Sequence, residues 1–152
     1  MLQAIPLIVF APFLIIIFGV GISSKAILAT LMAVFPIILG SINAGNQAEA
    51  EYRELAMFYD LSPIEAVLRV YLPIMLPSVV GDIRVASSLA LLGTVIAEFT
   101  GSAMGLGRNI FLGTVRVDPE LLVSSLILTG LLGLFIHNAM LWIEEKTSWW
   151  NK

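Results

Sequence analysis

From Leu121 to Ile143 no residue carries a formal charge when His137 is neutral, and the chain reaches Lys25 before its first charge of any kind. A mostly apolar run of about 20 residues is long enough to cross a bilayer as a helix. In lipid the backbone must satisfy its own hydrogen bonds, as a helix does. The composition agrees: 59% of the 152 residues are hydrophobic, 12% are charged, and the mean hydropathy is +0.97. A soluble domain carries about 25% charged residues, so this much apolar surface cannot be hidden in one small core. The solvent for most of the chain is lipid. A net charge of -3, evenly spread, gives no footprint for nucleic acid. The absence of cysteine removes disulfides, thiolate metal sites and thiol nucleophiles together. Nothing basic precedes the first apolar run, and Pro6 and Pro12 interrupt it, so it does not read as a cleaved signal peptide.

About four spans can be drawn on the length rule, giving an all-α membrane protein. They cover Ala4 to Val20, Ala26 to Ile42 (with Pro36 inside), Ile83 to Phe99, and Leu121 to Ile143. The uncharged core of the third, Val85 to Ala97, is short enough for a buried helix. Its small residues Ala86, Ala90, Gly93 and Ala97 recur at helical spacing, which favours a closely packed membrane helix. Ser125, Thr129 and Gly133 repeat the device in the fourth span. Between these two spans the glycine-rich stretch from Gly101 to Pro119 lacks the Gly-Lys-Ser/Thr ending of a phosphate-binding loop. It reads as a bent connection with a short interfacial helix.

Residues 43–82 form a polar island between the second and third spans. Asn43, Gly45 and Asn46 are expected to end one helix. A short amphipathic helix is expected from Gln47 to Tyr59, with Ala48, Tyr52, Leu55, Ala56 and Tyr59 opposite Glu49, Arg53 and Asp60. Ser62-Pro63-Ile64-Glu65 has the form of a capping box with proline at the first helical position. It predicts a second short helix over Pro63 to Tyr71, limited by Pro73 and Pro77. In this topology Arg53, Arg69, Arg84, Lys146 and Lys152 share one side, with Lys25, Arg108 and Arg116 on the other. The bias makes the island and the C-terminal tail cytoplasmic. Trp142, Trp149 and Trp150 beside Lys146 and Lys152 fit an interfacial anchor at that end. Residues 1–147 are read as the membrane domain and 148–152 as a cytoplasmic tail.

The island resembles the "EAA" loop of binding-protein-dependent ABC importer permeases, the type I transmembrane subunits. The family pattern is Glu-Ala-Ala, three residues, Gly, nine residues, Ile, any residue, Leu-Pro. Glu54 and Ala56 match, Leu55 replaces the first alanine, and Asp60 stands where glycine is expected; Val70 replaces isoleucine, and Leu72-Pro73 match in register. Leu76-Pro77-Ser78, Ala97-Glu98-Phe99 and Gly105-Leu106-Gly107 also look like the subgroup serving nitrate, sulfonate, taurine or pyrimidine-precursor importers. The resemblance covers nearly all of the chain, and the joint spacing makes it specific. It implies a multi-pass protein of the bacterial plasma (inner) membrane. Its partners would be a cytoplasmic ABC ATPase, an extracytoplasmic solute-binding protein and a second permease copy. The coupling residues it implies are Glu54, Ala56, Asp60, Ser62, Pro63, Glu65, Leu72 and Pro73, with Pro63 to Tyr71 as the docking helix. Asp tolerates the left-handed turn that glycine would suit at position 60. Family members carry two further N-terminal spans, so the chain is expected to be a fragment of a longer permease or to receive those spans from elsewhere.

Glu98, an ionisable group at the end of a span, is a candidate for the translocation path, with snorkelling to the interface as the alternative. His137 is a second candidate, read first as a helix-to-helix hydrogen-bonding residue. As the only histidine it excludes a multi-histidine metal site, and no cofactor is expected. Catalytic motifs such as Gly-x-Ser-x-Gly and His-Glu-x-x-His are missing from the sequence. The first reading is therefore a transport subunit whose ATP hydrolysis lies in a partner. The alternative is a truncated permease acting only as a helical assembly or anchoring protein.

Overall fold

A computed structural model describes residues 6–147. A 3-10 turn, Leu7–Val9, leads into α1 (Phe10–Phe18). It is followed by α2 (Ile22–Phe58), α3 (Pro63–Ala66), a π turn (Val67–Tyr71) and α4 (Leu72–Gly101). The short α5 (Leu106–Val115) and the long α6 (Pro119–Thr147) complete the described chain. Among the described residues, three helical stretches are long and apolar enough to cross a membrane: Ile22–Phe58, Pro63–Gly101 and Pro119–Thr147. The apolar helix Leu7–Phe18 is shorter than a crossing needs. The first expected span is thus represented by a short helix within the described residues; Ala4 lies outside them.

Two expectations about the island fail in the same direction. Asn43, Gly45 and Asn46 do not end a helix, because α2 runs through them without interruption to Phe58. Glycine and asparagine cost a helix only about 1 kcal/mol each or less, and packing outweighs that here. Ala44 and Ala48 are buried, and a Cβ on Gly45 would lie 3.4 Å from the Met75 side chain of α4. Nor do Pro73 and Pro77 stop the second helix. The Leu72 N–H donates to the Val67 carbonyl five residues back, a π-helical hydrogen bond that lets the chain pass into α4 with Pro73 in its first turn. Pro77 then lies inside α4. Helical backbone therefore extends from Pro63 to Gly101, which removes the length problem of the third span.

The long helices are antiparallel neighbours. Lys25 meets Glu98, Gly40 lies under Asp82, and Gly45 lies under Met75, so α2 and α4 run past each other over their whole shared length. The closest approach falls on the expected small-residue stripe. Ala86, Gly93 and Ala97 are buried, and a Cβ on Gly93 would stand 3.1 Å from Ala29 Cα. In α6, Ser125 is buried, and a Cβ on Gly133 would be 3.4 Å from Leu91 of α4. Elsewhere the bundle is apolar on its outside. Ile16, Ile22 and Phe135 are 81%, 83% and 72% exposed, whereas the buried hydrophobic residues are mostly alanines, with one small cluster formed by Ala11, Leu14, Leu28 and Ala97. Such a surface suits lipid, where close packing of small residues does the work that a hydrophobic core does in water.

Candidate functional site

The loop between α2 and α4 is held by two local devices. α2 ends in a Schellman motif, in which Leu61 N–H donates to the Ala56 carbonyl at 3.1 Å and Asp60 N–H to the Met57 carbonyl at 3.0 Å. The residue at its left-handed position is Asp60, with φ +50°, where the family pattern has glycine. Ser62 then caps the next helix. Glu65 N–H donates to Ser62 Oγ at 3.4 Å, while Ser62 N–H and Ser62 Oγ donate to Glu65 Oε2 at 3.2 and 2.8 Å. This is the complete capping box, with Pro63 opening the helix. Arg69 lies 3.5 Å from the other Glu65 oxygen. In this water-facing loop the Ser62 hydroxyl and backbone N–H, then the Arg69 charge, hold the Glu65 carboxyl below the usual carboxylate range.

The expected coupling residues thus occupy one loop, although Glu54 and Ala56 belong to the last turns of α2 and not to a separate helix. Glu54 is exposed. Ala56 and Ala66 are buried beside a groove of about 690 Å³ whose other walls include Asn46, Glu49, Arg53 and Met75. Leu72 is exposed and Pro73 half-buried at the start of α4. Sequence reasoning missed the apolar side chains the loop presents to water. Phe58 is 83% and Ile64 72% exposed, with Met57, Tyr59 and Leu68 exposed beside them. Phe58 and Tyr59 stack edge to face, with ring centroids 5.4 Å apart. The available signal was Ile64 and Leu68 at i, i+4 spacing within the polar island.

Glu98 and His137 are not brought together. Glu98 lies at the far end of α4, where Lys25 Nζ donates to Oε1 at 3.3 Å and Gly107 N–H to Oε2 at 3.0 Å. His137, half-buried on α6, borders a groove of about 300 Å³ with Arg84, Ser88 and Leu89 of α4. Arg84 in turn pairs with Glu144 of α6 at 3.3 Å. Trp142 is exposed with Lys146 Nζ 4.9 Å from its ring, while Trp149, Trp150, Lys152 and the expected tail 148–152 lie outside the described residues.

The long apolar helices fit what a comparison with known families finds. Residues 1–149 match the family described as binding-protein-dependent transport system inner membrane component. The chain belongs to that family. It is accordingly a multi-pass protein of the inner membrane, and its family members are transport components rather than enzymes. A probable ABC transporter permease protein of Haemophilus influenzae is 29% identical over 97% of this chain and 60% of that protein. The riboflavin transport system permease protein RibX of Chloroflexus aurantiacus is 30% identical over 89% of the chain and 50% of that protein. A putative aliphatic sulfonates transport permease protein of Bacillus subtilis, SsuC, is 27% identical over 99% of the chain and 54% of that protein. The chain spans about half the length of the curated relatives it matches. No solved structure matches it.

Proposed function

We propose that this chain acts as a permease subunit of an ATP-driven, binding-protein-dependent importer, driven through residues 54–73 by a separate cytoplasmic ATPase. The observation that carries the reading is the exposure of Phe58, Ile64 and Leu68 on and beside a turn fixed by a Schellman motif and a capping box. Exposed apolar patches on water-facing loops mark interaction sites, and Glu54, Asp60 and Glu65 supply charge around this one. Both helices leaving the turn continue into the membrane-crossing stretches. A push on the turn is therefore carried into the bundle as a rigid-body movement of helices.

Two permease copies would frame the path, an extracytoplasmic binding protein would deliver the solute, and ATP-driven closure would rock the bundles. Relatives named for sulfonates, nitrate and formylaminopyrimidine support a small organic or anionic solute. Of the two candidate path residues His137 fits better, since it borders an open groove beside Arg84. Glu98 has both oxygens engaged. Replacing Ile64 and Leu68 together by Glu should cut co-purification of the ATPase by about tenfold or more, since a few buried anchors dominate an interface. Unchanged association of a correctly inserted variant would refute the coupling role.

A further inference from the structure

The end of the bundle remote from the coupling loop is fastened by one carboxylate. Glu98 of α4 accepts from Lys25 Nζ of α2 through one oxygen and from the Gly107 N–H of α5 through the other. Lys25 Nζ also donates to the Met104 carbonyl at 3.3 Å, in the loop that joins α4 to α5. Lys25 and Glu98 side chains are only 18% and 15% exposed. The loop is cut to fit. Gly105 has φ +128°, and a Cβ there would collide with the Glu98 carboxylate. A Cβ on Gly107 would run into the Val95 carbonyl and stand 2.8 Å from Glu98 Cβ. Ser102 closes the turn, its hydroxyl donating to the Met104 carbonyl at 2.6 Å.

We propose that Glu98 is a positioning residue, and that with Lys25 it forms a latch uniting the ends of α2, α4 and α5 into one body that moves as a unit during transport. The latch rests on geometry alone; its movement as a unit rests on the transport reading above. A poorly hydrated ion pair is all-or-none in character, because removing one partner strands the other charge, whereas removing both leaves nothing stranded. The side-chain amide carbonyl that E98Q introduces would still accept from the Gly107 N–H. The singles K25M and E98Q should therefore each loosen the loop, and K25M/E98Q should regain most of what they lose. A residue contacting solute has no reason to show this pattern in the absence of solute.

Amide hydrogen exchange on the chain in lipid nanodiscs reads the latch directly. Exchange at Gly107 and its neighbours should rise about tenfold or more in each single variant and return to within about threefold in the double. Singles indistinguishable from the wild type, or a double that is as fast as the two singles combined, would overturn it. The second arm uses the assembled transporter. The chain has no cysteine, so K25C/E98C can be bridged cleanly by a short bifunctional thiol reagent. With aliphatic sulfonate, nitrate and formylaminopyrimidine as the probe solutes, bridging should raise uptake above that of the unbridged variant; loss of uptake on bridging would show that these ends must part, and would overturn movement as a unit. A wild-type transporter without uptake would instead refute the transport reading, and the exchange arm would still decide the latch.

Discussion

Among the described residues two carry left-handed backbone without being glycine, and they differ in what the conformation costs. Asp60 and Val117 stand at the same position of two Schellman motifs, with φ +50° and +53°. At the second, Asp118 N–H donates to the Gly113 carbonyl at 2.8 Å and Val117 N–H to the Thr114 carbonyl at 3.3 Å. Aspartate visits this region at modest cost, but a β-branched residue pays about 1–2 kcal/mol. The Val117 side chain is 85% exposed and contributes little packing in return. Val117→Gly should therefore stabilise the chain by about 0.5–1 kcal/mol after the backbone entropy of glycine is set against the relief. Detergent-solubilised protein should show the rise as a higher midpoint in a thermal aggregation scan; a lower midpoint would contradict the strain. The turn at Asp60 was legible because its register from Glu54 put it where a glycine belongs. Val117 was not, since nothing in a valine signals positive φ.

At the scale of the element, capping chemistry was the most readable part of the island. Ser62, Pro63 and Glu65 specify their own local hydrogen bonds, so the start of α3 followed from four consecutive residues. The boundaries that depended on breakers did not follow. Asn43, Gly45 and Asn46 resemble a helix end only until Met75 of α4 packs against Gly45, and Pro73 resembles a stop only until the π turn ending at Leu72 leads the helix past it. The Lys25–Glu98 and Arg84–Glu144 pairs were also invisible, since they join residues far apart in sequence on helices whose register is set by small-residue packing. The cap makes a pH prediction. Because the Glu65 carboxyl is held below its ordinary value, its contribution is present above the unfolded pKa of about 4.3 and is lost as pH falls through the folded value. Once the intrinsic slowing of amide exchange with falling pH is divided out, protection at Glu65 and Ala66 should drop as the solution is acidified through that range. In Glu65→Gln the acid-dependent step should vanish; its persistence would place the titrating group elsewhere.

Across the whole molecule, the apolar surface divides by its solvent. Ile16, Ile22 and Phe135 lie on helices dominated by uncharged residues, where an exposed apolar side chain suits lipid. Phe58 and Ile64 lie beside Glu54, Asp60 and Glu65, on a turn whose helices have already left the apolar stretch, and there exposure asks for a protein partner. α2, at 37 residues, is about 55 Å long, well beyond the roughly 30 Å hydrocarbon layer. It can carry that turn clear of the membrane. Contact between this turn and the ATPase is the central claim. The most direct measurement is thiol cross-linking in the assembled transporter, using Ile64→Cys in a chain that has no other cysteine, with the exposed Val123→Cys, near the start of α6 and remote from the turn, as the control. Cross-links from position 64 to the ATPase that strengthen or weaken with ATP, and none from position 123, are the predicted result. Position 64 cross-linking no better than position 123 would contradict it.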